Sequence, residues 1–416
     1  MLLSPLLKLF LITAVSGAAV VPRADTFKHP GLLHTEEDFA RIRSKLASNS
    51  EPWVQGYRAL TNNGHSKLGY EAAPVAGLCR GINAGCQENY SRAFNDFAAA
   101  YQHALRWKIS NDTAFADGAV AIVNAWSTTL KNISGISSDR FLAAGIYGYQ
   151  FANVVELLKD YSGFSEQNLT SAKNLLTDIF LPHNIQFLTE HGVDGPNDEA
   201  FWANWDLCNY GSALAIGVVT DNRTTYDFAM NYFYNGGGRG SIHNYLWKTY
   251  NDSTAQGQEA GRDQGHSMLD LALLGPFATT ALNQGDDVWA YNDSLILKGA
   301  EYAAKYNLGY DVQYTPYLAK DAKGRVLYNQ TTISNVSRGN IRPIWDMYYN
   351  QYVVKRGLNG TYTKLYADKV RAANNGSEGG GGDYGPNSGG YDQLGFGTLM
   401  YTLDNTRDEL YAECDE

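Results

Sequence analysis

Apolar residues recur at three- and four-residue spacing through most of this 416-residue chain, and strict alternation is rare. That spacing gathers apolar side chains on one face of a helix, so the chain has to bury helical stripes against one another. Thr35-Glu36-Glu37-Asp38 reads as a helix start with an acidic first turn, and Phe39, Ile42 and Leu46 continue it on one face. Further helices are expected over about 91–109, 113–130, 139–160, 165–181, 199–218, 223–234, 263–282, 286–306, 341–356 and 361–374. Some, such as the one carrying Phe141-Leu142-Ala143-Ala144-Gly145-Ile146-Tyr147, are apolar on more than one side and belong between neighbours. Consecutive helix pairs without a fixed-period repeat fit antiparallel hairpins set in a ring. The expected fold is therefore mainly α, an incomplete α/α toroid, with a minor β hairpin near residues 310–330.

The first residues place Lys8 before the apolar run Leu9-Phe10-Leu11-Ile12 and the small residues Ala14 to Ala18, the pattern of a secretory leader. Residues 1–18 are read as that leader and 19–416 as one catalytic domain, secreted and extracellular. No later apolar stretch reaches about twenty residues, so no membrane anchor is expected. Sequons at Asn89, Asn111, Asn132, Asn168, Asn222, Asn251, Asn292, Asn329, Asn335, Asn359 and Asn375 agree with passage through a secretory route. Oxidising export also suits the four cysteines. Cys79 and Cys86 are close enough to close a small loop, which leaves Cys208 for Cys414; free buried thiols are the alternative.

The formal charge of −10 argues against a nucleic-acid partner. An aromatic share of 13%, with 29 Tyr, exceeds what a core needs and suits a carbohydrate groove. An acidic glycan would then have to meet a local cluster of positive charge. Gln258-Glu259-Ala260-Gly261-Arg262-Asp263-Gln264-Gly265-His266 sets polar groups directly before an apolar helix. Asp263 as N-cap would put His266 in the first turn, where the helix dipole favours a neutral, proton-accepting imidazole. A histidine alone is as often structural. Arg342-Pro343-Ile344-Trp345 with Tyr348 begins another helix, and an Arg-Asp ion pair with a core tyrosine explains that segment equally well. Asn204, between Trp202 and Trp205, can satisfy buried backbone or donate to a carboxylate. The glycine-rich run 376–391 reads either as a loop offering Tyr384 and Tyr391 to a ligand or as a crossover between the last helices.

Together Asn204-Trp205-Asp206, Gly261-Arg262-Asp263-Gln264-Gly265-His266, Arg342-Pro343-x-Trp345 with Tyr348, and Gly381-Gly382-Asp383-Tyr384-Gly385-Pro386-Asn387 resemble alginate-lyase-type polysaccharide lyases. The likeness is greatest to polysaccharide lyase family 38 and more distant to family 5, and it spans nearly the whole chain after the leader. The resemblance implies a toroid, no cofactor or metal, and β-elimination on a 1,4-linked polyuronate such as alginate or glucuronan. It also implies that Asn204, His266 and Arg342 hold and neutralise the substrate carboxylate while Tyr348, or Tyr349 beside it, transfers the proton. Trp205, Arg262, Gln264, Arg338, Tyr384 and Tyr391 are the expected substrate-binding residues, the acidic polysaccharide is the partner, and the chain is expected to act as a monomer. Two other readings share the composition. An inverting glycoside hydrolase would need two carboxylates across a cleft, with Glu259, Asp263 and Asp206 as candidates. A non-catalytic glycan binder would need the aromatics alone.

Overall fold

The computed structural model describes residues 26–191, 201–321, 323–385 and 390–404; the leader expected at 1–18 and Cys414 lie outside them. In chain order the helices are α1 (Glu36–Ala47), α2 (Trp53–Asn62), α3 (Ser91–Ser110), α4 (Thr113–Thr129), α5 (Asp139–Leu158), α6 (Glu166–Leu175) and α7 (Leu181–Glu190). They continue as α8 (Ala203–Val219), α9 (Arg223–Asn235), α10 (Ile242–Tyr245), α11 (Gln264–Asn283), α12 (Tyr291–Asn307), α13 (Trp345–Tyr349), α14 (Thr361–Ala373) and α15 (Gly397–Tyr401). Widened turns at 176–180 and 350–354 join α6 to α7 and extend α13.

Local chemistry sets the hairpins. Asn111 takes the left-handed conformation that ends α3, and the Asp112 side chain then accepts from Ala114 N to start α4. The same logic opens α1, where Thr35 and Asp38 form a capping box. Helices α3, α5, α8 and α11 and the segment 342–349 form an inner layer that runs in one direction. Tyr90 stacks on Tyr147 and Phe97 meets Phe151, which aligns α3 with α5. Gly145 faces Cys208 and Gly148 faces Ser212, which aligns α5 with α8; a Cβ at Gly145 would lie 2.4 Å from the Cys208 sulfur. Arg342 reaches Gly265 O and Tyr348 reaches Leu271 O, which aligns the last inner segment with α11. Outer helices α4, α6–α7, α9, α12 and α14 return the chain, so the hairpins close an α/α toroid.

The inner helices are buried nearly all round, as the sequence pattern requires, and their side chains join one hydrophobic cluster running from Leu32 to Met400. Each fully buried Leu, Ile or Phe contributes about 1.5–3 kcal/mol. Because the inner elements run the same way, their N-termini converge at one end of the ring, where backbone N–H groups favour negative charge. Three strand pairs decorate this frame: β1 (Gly77–Cys79) with β2 (Asn132–Ser134) in parallel, β3 (Leu246–Thr249) with β4 (Ala255–Gly257), and β5 (Tyr317–Lys320) with β6 (Val326–Gln330). The last pair is the expected hairpin. No helix among the described residues is long and apolar enough to cross a membrane.

Cys79 and Cys86 form the expected disulfide. Cys208 departs from expectation: it is a buried free thiol, and Cys414 lies outside the described residues. Helix α8 turns that sulfur inward against Gly145, where it bonds to Trp205 O at 3.3 Å. Most sequons are exposed, but Asn89 turns its amide inward, donating to Gly77 O and accepting from Cys79 N.

Candidate active site

The N-terminus of α11 organises the site. Asp263 accepts from His266 N at 2.8 Å and lies 2.6 Å from its Nδ1, so the cap that starts the helix also fixes the imidazole. Nδ1 carries the proton toward the carboxylate, and Nε2 has no hydrogen bond among the described residues; the side chain is 37% exposed. Burial works to raise the Asp263 carboxyl, but the His266 bonds outweigh it and hold it below its ordinary range. Arg262 donates from Nη1 to Glu259 Oε2 at 2.7 Å and lies over the Trp202 ring. Glu259 in turn accepts from both the backbone N (3.0 Å) and Nδ2 (2.6 Å) of Asn204. Asn204, Arg262 and His266 are thereby brought together across 62 residues of chain.

Distant segments supply the neighbouring groups. Arg342 precedes α13, donates from Nε to Gly265 O at 3.3 Å and from Nη1 to Gln393 Oε1 at 3.0 Å, and lies 3.9 Å from Asp392 Oδ2. Arg80, directly after the disulfide cysteine Cys79, donates from Nη1 to the Tyr147 hydroxyl at 2.9 Å beneath the Tyr90 ring. Burial opposes the Arg80 charge, but Tyr147, Asp392, Tyr90 and Asp139 outweigh it and keep the guanidinium protonated. Asp392 sits within the fields of Arg80, Arg342 and His266; burial nevertheless lifts its carboxyl above the ordinary range. Arg80, Tyr147 and Asp392 were not singled out from sequence. The stapled loop was the one local signal for Arg80, and nothing near Asp392 in the chain announces partners 50 or more residues away.

Several expected site residues are engaged elsewhere. Tyr348 is fully buried between α11 and Trp289, and its hydroxyl donates to Leu271 O at 2.8 Å; it cannot meet a polymer in the cleft. Tyr349 does not replace it, since its ring lies under Arg371 of α14. Gln264 is buried and bonds to Ala260 O, Ser334 O and Asn307. Arg338 caps the end of α12 by donating to Tyr306 O and Tyr310 O. Tyr384 accepts from Gly379 N of its own loop and donates to Val370 O of α14. Tyr391 packs against His65 and Phe94, and its hydroxyl meets His65 Nδ1 at 2.9 Å. Trp205 stays half-buried beside Asn204, against Phe187 and Phe201. The glycines of 379–382 serve the loop's own crossing: a Cβ at Gly381 would lie 2.3 Å from Gln393 O. Asp206 is an anchor, accepting from Tyr232 and Gly240 N. With Asp263 given to His266 and Glu259 to Asn204 and Arg262, no carboxylate pair faces across the cleft among the described residues in the manner a hydrolase needs.

Residues 80–312 match the alginate lyase family. No curated relative matches the chain. Among solved structures the chain is similar to alginate lyase A1-III from Sphingomonas species A1, with TM-score 0.60 and 11% identity over 90% of this chain and 98% of that one. It is also similar to a histidine-to-alanine variant of alginate lyase A1-III complexed with a tetrasaccharide, with TM-score 0.52 and 12% identity over 90% and 98% of the two chains. At such identities the likeness is one of fold.

Proposed function

This chain belongs to the alginate lyase family and is a polysaccharide lyase, and we propose that it cleaves a 1,4-linked polyuronate, alginate or glucuronan, by β-elimination at the Asp263–His266 pair. The observation that carries the reading is the open Nε2 of His266. With Nδ1–H held by Asp263, Nε2 presents a lone pair to the cleft and can accept the proton from C5 of a bound uronate. The C5–H electrons become the C4–C5 double bond as the C4–O bond breaks, and the departing oxygen takes a proton. Charge grows on the substrate carboxylate before that bond breaks, and we assign its neutralisation to Arg80, Arg262 and Arg342. The reading assigns this neutralisation to guanidinium groups rather than to a metal ion. Where proton and leaving oxygen share a face, as in β-mannuronate, the imidazolium just formed can return the proton itself. Export belongs to the same proposal, supported by the leader pattern at 1–18 and the exposed sequons.

The test is ultraviolet detection of the conjugated, unsaturated product on polymannuronate, polyguluronate and glucuronan. The wild-type chain should generate it on at least one of them, and His266→Ala should lower kcat by about 10²–10⁴. Chain cleavage with new reducing ends but no unsaturated product would mean hydrolysis and would sink the reading.

A further inference from the structure

One turn below His266 on α11, Asp270 faces Glu259, and both side chains are fully buried. Glu259 accepts three hydrogen bonds, two from Asn204 and one from Arg262. Neither oxygen of Asp270 accepts any among the described residues. A buried carboxylate without a donor is strongly disfavoured, and two carboxylates in contact cannot both stay ionised. From this geometry we infer that Asp270 is a positioning residue: it donates a shared proton to Glu259, and so lets Glu259 hold Asn204 and Arg262 toward the substrate carboxylate without a second negative charge beneath them.

The surroundings agree. The groups facing the pair are Tyr210 of α8, Tyr245 of α10, Arg262, Asp263, Arg342, Tyr348 of α13 and, against Glu259, Tyr328 of β6. Tyr348 spends its hydroxyl on Leu271 O and Tyr210 spends its own on Gly240 O, so neither supplies Asp270 with a donor. Burial, and next the charge of Glu259, push the Asp270 carboxyl well above its ordinary range. An ionised Asp270 would cancel one of the positive charges that the cleft turns toward a polyanion.

The inference rests on placing Asn204 and Arg262 against the substrate carboxylate, and its first test needs no substrate. Difference infrared spectroscopy of wild-type minus Asp270→Asn at neutral pH should show a protonated-carboxyl C=O band present only in the wild type. The amide introduced by this substitution keeps a donor to Glu259 but cannot titrate. The KM for a polyuronate should therefore rise about tenfold at alkaline pH in the wild type and stay flat in D270N. Should D270N fold poorly, Asp270→Ser serves, because its hydroxyl also donates to Glu259 while the titrating carboxyl and its band are gone. A missing band overturns the shared proton, and superimposable KM profiles overturn the positioning role. A band without turnover on any uronan leaves the proton in place and counts against the lyase assignment of the cleft instead.

Discussion

His266 keeps one ring nitrogen for chemistry because Asp263 takes the other, and the same carboxylate starts the helix. Asp263→Asn should therefore do more than weaken a cap: an amide can present its N–H to Nδ1 and favour the wrong tautomer. A fall in kcat of about 10²-fold or more, with KM changed far less, is expected from initial rates. Tyr348 makes the opposite case. Its hydroxyl belongs to the packing of α13 on α11, so Tyr348→Phe should leave kcat near wild type while costing about 1 kcal/mol of stability for the lost hydrogen bond to Leu271 O. Denaturant melts beside initial rates check both halves, and a folded Tyr348→Phe without activity would return the tyrosine to the mechanism. The sequence motif placed Arg342 and Tyr348 on one segment correctly. It could not show that a cleft lies on one side of that segment and the core on the other.

The loop between β1 and α3 is the element that carries Arg80 to the cleft. The Cys79–Cys86 bond closes it, Asn89 ties it to Gly77 and Cys79, and β1 pairs with β2 just before α5. Closing so short a loop is worth roughly 2–3 kcal/mol of chain entropy. Replacing both Cys79 and Cys86 with Ser should free Arg80 and raise KM for a polyuronate about tenfold, with kcat affected less, and Arg80→Gln should reproduce the KM effect with the disulfide intact. Kinetics on the two variants decide the point; an unchanged KM in Arg80→Gln would remove Arg80 from the binding surface. The glycine-rich run behaves differently. Its two readings were both open from composition, and the close approach of Gly381 to Gln393 O shows that the loop needs its glycines to fold back on itself.

Across the whole molecule, Asp221 at the turn between α8 and α9 binds three separate parts of the chain: His29 of the N-terminal segment, Lys159 after α5, and Lys173 of α6. Partial burial works against its charge, but the His29 and Lys159 bonds hold its carboxyl down to about 2, from an ordinary 3.8. Its folded-state value is the lower one, so the stability it adds is complete above pH 3.8 and is lost as pH falls toward 2. Asp221→Asn should flatten the acid limb of a stability-against-pH curve in that window, and an unchanged limb would refute the linkage. Helix periodicity, the cap at Asp263 and the Cys79–Cys86 loop are local properties, written within a few residues, and the sequence determined them by itself. The ring of helices followed from many such stripes needing partners. What only the tertiary structure decided is which polar groups meet: Arg80 with Tyr147, Asp392 with Arg342, Glu259 with both Asn204 and Asp270. Those pairings depend on how the inner helices are rotated and aligned, and that is set by close packing such as Gly145 against Cys208. No local pattern encodes it, because the rotation that buries Tyr348 and exposes His266 is fixed by the summed contacts of the neighbouring helices.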